Sequence, residues 1–213
     1  MKRGHARAVQ YLIQKKFPLN KVKKNGISAV GIAAHKGAFQ ILKLLVEAGA
    51  DVNGFNEQGV GPLYLAIRSQ KRECIDFLIE AGARAYVEGW ELIDNSPMFY
   101  AIRQNDVATI ENLAKHGADC ENILSSAQLP PLNYAASCNS PEAVRVLVGH
   151  SKQVDKVDYN GHTCFTRALL QMRNLNIAAL LLHKGADLNN RHLNKQNQTP
   201  LIMALQEKDT QAV

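Results

Sequence analysis

No acidic residue occurs before Glu47 in this chain of 213 residues, although ten lysines and arginines, from Lys2 to Lys43, precede it. The remainder carries 15 basic against 19 acidic residues, a net of −4. A positive end on a mildly negative body offers an electrostatic handle to an acidic partner, whether protein, nucleic acid or anionic surface. Read more plainly, it is a solvated end of the molecule. Cysteine is also sparse. Cys74, Cys120, Cys138 and Cys164 form no CxxC pair and have no histidine at finger spacing. This pattern signals neither a disulfide scaffold nor a zinc site, so reduced thiols are expected. No stretch approaches the roughly 20 apolar residues of a membrane-spanning helix. Met1 to His5 lead into mixed polar residues rather than the apolar run of a signal peptide, and a cytoplasmic or nuclear location is expected. Glycine-rich phosphate loops, HExxH and GxSxG are missing, and the seven histidines are scattered. The expectation is therefore no enzyme made by these residues, and no cofactor, metal or small-molecule substrate.

What is present is a period. Gly49-Ala50-Asp51-Val52-Asn53 returns as Gly82-Ala83-Arg84-Ala85-Tyr86, Gly117-Ala118-Asp119-Cys120-Glu121 and Gly185-Ala186-Asp187-Leu188-Asn189. A degenerate copy, Ser151-Lys152-Gln153-Val154-Asp155, fills the gap. A second marker, Ala33, Ala66, Ala101, Ala135, Ala168 and Ala204, keeps nearly the same step. Several of these alanines follow a Pro-containing entry, such as Gly61-Pro62-Leu63 or Ser96-Pro97-Met98. Proline suits the first helical turn because its missing N–H would have had no intrahelical partner there. A polar pair and a residue tolerant of positive φ (Gly37, Asn105, Asn139) come next. They precede a second apolar run with spacings of three and four, such as Ile41, Leu42, Leu44, Leu45 and Val46. This predicts a helix, a tight turn and a second helix in each unit.

With these two markers in register, the chain resembles the ankyrin-repeat family along essentially its whole length. The resemblance implies an all-α solenoid of antiparallel helix pairs joined by β-turn-like loops. A single domain over 1–213 is expected, with a partial repeat at 1–22, repeats at about 23–55, 56–90, 91–124, 125–157 and 158–193, and a partial repeat at 194–213. No repeat keeps the full T-P-L-H tetrapeptide, and the fourth has lost its G-A-D. Gly4 to Asn20 read as a second helix only, with Ala8, Val9, Leu12 and Ile13 inward, and Leu201 to Leu205 read as a first helix. Neither end carries the polar face of a capping repeat, so a slice of a longer array, or an end covered by another subunit, is expected.

The resemblance also implies where a partner would sit: on the polar pair ending each first helix and on the loop tips. The pairs are His35-Lys36, Arg68-Ser69, Arg103-Gln104, Ser137-Cys138, Leu170-Gln171 and Gln206-Glu207, with Lys2 at the equivalent position upstream. Equivalent residues of successive helices stack about 10 Å apart, so Lys2, His35, Arg68 and Arg103 are expected to form a basic ladder. Exposed helix ends favour Lys and Arg through the helix dipole in any case. Phe55, Tyr159 and Trp90, the last within the long connection from Ala85 to Asn95, are candidate loop-tip anchors. The expected function is a protein-binding scaffold favouring acidic segments in its N-terminal half. The alternatives are a structural part of a large assembly, or attachment to nucleic acid or another polyanion. Leu45 to Asn53 and Leu181 to Asn189 resemble the motif that asparaginyl hydroxylases modify; the other reading is that these asparagines stabilise their loops.

Overall fold

The computed structural model describes residues 2–20, 26–85, 96–189 and 198–203, with side chains from His5 onward. A helix, α1 (Lys2–Gln14), is followed by the pairs α2 (Ala29–Lys36) and α3 (Phe39–Glu47), α4 (Pro62–Arg68) and α5 (Arg72–Glu80), and α6 (Pro97–Arg103) and α7 (Val107–Lys115). Next come α8 (Pro131–Ser137) and α9 (Pro141–His150), then α10 (Cys164–Thr166), which continues as a π-helical segment, Arg167–Gln171, and α11 (Leu175–His183). These bounds agree with the helix pairs read from the periodicity. Proline opens α4, α6, α8 and α9. At α2 and α10, first helices without that proline, a side chain caps instead. Ser28 accepts from the Gly31 amide at 3.1 Å and Thr163 from the Thr166 amide at 3.2 Å, satisfying donors that the first turn leaves open.

The turn inside each pair demands one left-handed residue. Gly37 (φ 64°), Gln70 (54°), Asn105 (51°), Asn139 (55°) and Arg173 (50°) all occupy it. The following amide closes the turn onto the marker alanine: Ala38 to the Ala33 carbonyl at 2.9 Å, Lys71 to Ala66 at 3.0 Å, Asp106 to Ala101 at 2.9 Å. The second helices of three pairs, and of the fifth, end on a glycine at positive φ, Gly49, Gly82, Gly117 and Gly185. The fourth instead runs out through Ser151 in extended backbone, φ −91° and ψ 140°.

Two compact units divide the chain. One comprises the residues up to Tyr100 with Lys115–Ala118, the other Ala101–Ala114 with the residues from Asp119 on. In the first unit α2 packs on α4, α3 on α5, and α1 on α3. Ala34, Leu42, Ala66 and Leu78 are fully buried there, and Phe39 meets Phe77 edge to face at 5.6 Å. In the second unit α8 packs on the π segment and α9 on α11, around Ala135, Leu147, Ala168, Ile177 and Leu181. Each buried leucine or isoleucine contributes about 1.5–3 kcal/mol of apolar transfer. The marker alanines lie at the centre of this packing because only a small residue lets the first helices approach closely.

At four of the described loops a side chain grips the next loop. Asn20 Oδ1 accepts from the Asp51 amide at 2.9 Å, Asn53 Oδ1 from Arg84 at 2.7 Å, and Asp155 from Asp187 at 3.1 Å. In the irregular fourth repeat the grip comes from Glu121. Its Oε1 accepts from the Lys152 amide, from Gln153 at 3.0 Å and from Ser151 Oγ at 3.0 Å. The carboxylate thus holds in place the extended exit that lost its glycine. The Lys152 amide leads the hydrogen bonds that hold the Glu121 carboxyl below its ordinary pKa.

The fifth repeat carries one residue too many. Four positions separate the marker alanine from the left-handed residue in the other pairs, but five separate Ala168 from Arg173. The π segment absorbs the extra residue: Met172 N donates to the Arg167 carbonyl at 3.1 Å, and Asn174 N reaches back to Ala168 at 2.9 Å. Arg167 braces this bulge, donating from Nη1 to Gln171 Oε1 at 2.6 Å and from Nη2 to Asp158 Oδ2.

Candidate partner-binding surface

In the first unit, α2 and α4 bring the expected helix-end residues together. His35 Nδ1 lies 2.6 Å from Ser69 Oγ, a hydrogen bond between equivalent turns of successive repeats. His35, Lys36 and Arg68 are all exposed, and among the described residues neither Lys36 nor Arg68 has an ion-pair partner. Each side chain sits in the last turn of its helix, where the partial negative charge of the helix end favours a cation. The arrangement is an exposed cluster of donors and positive charge on the turn side of the helices, with His35 held by Ser69. Lys2 belongs to α1, and its side chain lies outside the described residues. Arg103 and Gln104 are exposed at the end of α6, in the second unit.

Three expectations change. Leu170, aligned by counting with His35 and Arg68, is buried at 7% exposure, because the π segment shifts the register by one. Gln171 is the exposed residue of that turn. Phe55 is half-buried: with Val52, Leu63, Tyr64, Ala83 and Pro97 it lines a cavity of about 20 Å³. Leu12, expected to face inward, is 43% exposed on α1, which packs on α3.

Tyr159 is 70% exposed on a loop tip. The turn beneath it is rigid: Asp158 Oδ1 accepts from the Asn160 amide at 2.8 Å and from His162 at 3.0 Å, while Arg167 holds the other oxygen. Trp90 lies outside the described residues. Asn53 is engaged at both ends of its amide, Nδ2 donating to the Gly82 carbonyl at 3.2 Å, which favours the loop-stabilising reading.

The thiols are free, and Cys74, Cys120 and Cys164 are buried. Burial pushes the Cys120 thiol up to about 11, with Asp119 and Glu121 adding to the shift. No group of His, Cys, Asp or Glu among the described residues is arranged to hold a metal ion, and no helix among them is long and apolar enough to cross a membrane.

The sequence profile described as ankyrin repeats (3 copies) matches residues 1–89 and 98–192. An ankyrin repeat protein of fowlpox virus is 28% identical over 172 residues, 78% of this chain and 48% of that protein. The human palmitoyltransferase ZDHHC13 is 27% identical over 210 residues, 83% of this chain and 33% of that protein. The chain thus spans about half of the first relative and a third of the second. The ankyrin repeat domain of human ASB11 shares the fold with a TM-score of 0.68 and 26% identity, covering 95% of this chain and 88% of that one. That of Bcl-3 gives 0.77 at 22% identity, covering 93% and 86%. Ankyrin repeats are in general protein–protein interaction modules, and domains of this fold are typically non-catalytic. Two matched stretches cover most of the chain, and the helix pairs, left-handed turns and interlocked loops follow one plan: the chain belongs to the ankyrin-repeat family.

Proposed function

We propose that this chain is a scaffold that docks another protein across the ends of its first helices and its loop tips, and that its first unit favours an acidic segment. The carrying observation is the exposed cluster of His35, Lys36 and Arg68, with His35 tied to Ser69 of the next repeat. Adjacent donors without ion-pair partners suit contact with carboxylates, and the Arg68 guanidinium can hold one bidentately. Within the second unit, exposed Arg103 and Gln104 and the exposed ring of Tyr159 are further candidates for partner contact, Tyr159 being the kind of amphipathic anchor that interfaces favour. Free, buried thiols suit a reducing compartment, cytoplasmic or nuclear. No catalytic step is assigned to these residues.

The test is fluorescence anisotropy of a labelled poly-glutamate peptide and a labelled single-stranded oligonucleotide against the chain and its Lys36→Glu/Arg68→Glu variant. Exposed ion pairs are worth about 0.2–1 kcal/mol each, and reversing two charges turns attraction into repulsion, so the peptide should bind the variant about tenfold more weakly. Unchanged peptide affinity would sink the acidic-segment reading. An oligonucleotide that binds more tightly than the peptide and releases steeply with salt would instead support attachment to a polyanion.

A further inference from the structure

In two repeats of the second unit, the residue that opens the second helix reaches back to the turn of the preceding repeat. Ser140 Oγ donates to Asn105 Oδ1 at 2.5 Å and Asn174 Nδ2 to Asn139 Oδ1 at 2.6 Å, each acceptor being the left-handed residue of its turn. In the first unit the same two positions are Lys71 and Gly37. Gly37 has no side chain to bond, and the Lys71 stem lies across it instead. A Cβ placed on Gly37 would come within 2.7 Å of Lys71 Cδ, 3.2 Å of Cγ and 3.3 Å of Cε.

Lysine is an unfavourable choice for this position. Asp106, Ser140 and Asn174 each accept from an amide in the first turn of their helices, at 3.2, 3.3 and 3.1 Å. Lysine has no acceptor, and α5 begins without a side-chain cap. A cation there also meets the positive end of the helix dipole. Yet Lys71 is exposed, and it has no ion-pair partner among the described residues. A residue that breaks a local rule with no gain inside the fold is expected where function requires it. The Lys71 ammonium continues, one bond beyond Cε, from a stem that crosses the turn ending α2, the turn that His35 and Lys36 enter. Ser69, in the turn that leads to Lys71, is the residue bonded to His35.

We infer that Lys71 is a further determinant of acidic-segment recognition, a third positive charge beside Lys36 and Arg68, laid across the α2 turn because Gly37 leaves the space open. This rests on the acidic-segment reading proposed above and adds a residue and its positioning partner to it. The cap that α5 forgoes is the structural cost of that placement.

The experiment measures binding of the labelled poly-glutamate peptide by anisotropy, alongside thermal melts, for the full chain and its variants. Lys71→Ser removes the charge and supplies the cap that Ser140 gives its own helix. Affinity should fall about threefold, as expected for one exposed ion pair, while the melting temperature rises by roughly 2–4 °C. A merely structural lysine would not move the two readouts in opposite directions. Gly37→Asn keeps every charge and places at positive φ the residue type that Asn105 and Asn139 already supply there, but it fills the space under the Lys71 stem. It should weaken binding in the parent and leave Lys71→Ser unaltered, since both act on one contact. Should Gly37→Asn fold poorly, Lys71→Ser decides alone. The inference is overturned if Lys71→Ser binds as tightly as the parent, if it loses affinity and melting temperature together, or if a folded Gly37→Asn weakens binding equally with and without Lys71. A peptide that binds the parent and is lost from Lys36→Glu/Arg68→Glu but not from Lys71→Ser overturns this inference alone. A parent that does not bind the peptide overturns the acidic-segment reading and this inference with it.

Discussion

Replacing Glu121 by alanine removes one oxygen that three donors share: the Lys152 amide, the Gln153 amide at 3.0 Å and Ser151 Oγ at 3.0 Å. A hydrogen bond to a charged group is worth about 1.5–3 kcal/mol when its loss strands the donor. These donors are exposed enough for water to replace part of that, so the expected destabilisation is about 1–3 kcal/mol in total. Glutamine keeps a neutral acceptor, and neutral bonds have roughly half the strength of charge-assisted ones, so Glu121→Gln should lose about half as much. Urea denaturation followed by circular dichroism gives the difference, and amide exchange at Lys152 and Gln153 shows whether the loss is local. The pH dependence has a definite sign. The folded-state pKa of Glu121 is depressed, so its stabilisation is present above the ordinary carboxylate pKa and is lost as pH falls through the folded value. The gap between the parent and Glu121→Gln should therefore close in acid. A loss below about 0.3 kcal/mol for alanine, inside ordinary surface-substitution scatter, or unchanged exchange at Lys152 and Gln153, would refute the view that this carboxylate replaces the missing glycine turn.

Gln70→Gly and Arg173→Gly should each stabilise by roughly 0.5–1 kcal/mol. Each relieves a left-handed penalty of about 1–2 kcal/mol against the added chain entropy of glycine, and thermal melts would show the gain. Asn53→Ala breaks two inter-repeat hydrogen bonds and should destabilise by about 1–3 kcal/mol in the same assay. Leu147→Ala, at a fully buried position, should cost about 2–5 kcal/mol. Titration with a thiol reagent at pH 8 should modify Cys138 alone in the folded protein, since the other three thiols are buried and Cys120 is pushed up to about 11; rapid reaction of a second thiol would contradict that burial.

The helix pairs were legible because two independent features repeat in register, a small residue where first helices touch and a glycine where second helices end. The left-handed turn was legible at Gly37, Asn105 and Asn139, whose residue types favour it, but not at Gln70 or Arg173. At those two positions the closing bonds, Lys71 N to Ala66 and Asn174 N to Ala168, impose a torsion the residue itself disfavours. Helix-end exposure was legible for His35, Lys36 and Arg68, which follow the alanine at fixed spacing. For Leu170 it was not, because an insertion absorbed within a helix leaves the apolar pattern on both sides intact. The exposure of Leu12 and the half-burial of Phe55 were not legible for a common reason: burial depends on what lies across from a residue, and spacing along the chain does not show whether a neighbour is there.

The bulge from Arg167 to Gln171 separates two properties that a regular array keeps joined. The core counts from Ala168 to Ile177 and Leu181, all buried, while the displayed surface of that turn advances by one residue from Leu170 to Gln171. A single inserted codon can thus change the letter the array shows to a partner without rewriting the interior that supports it. Arg167, bonded to both Asp158 and Gln171, is the clasp that makes the altered spelling permanent.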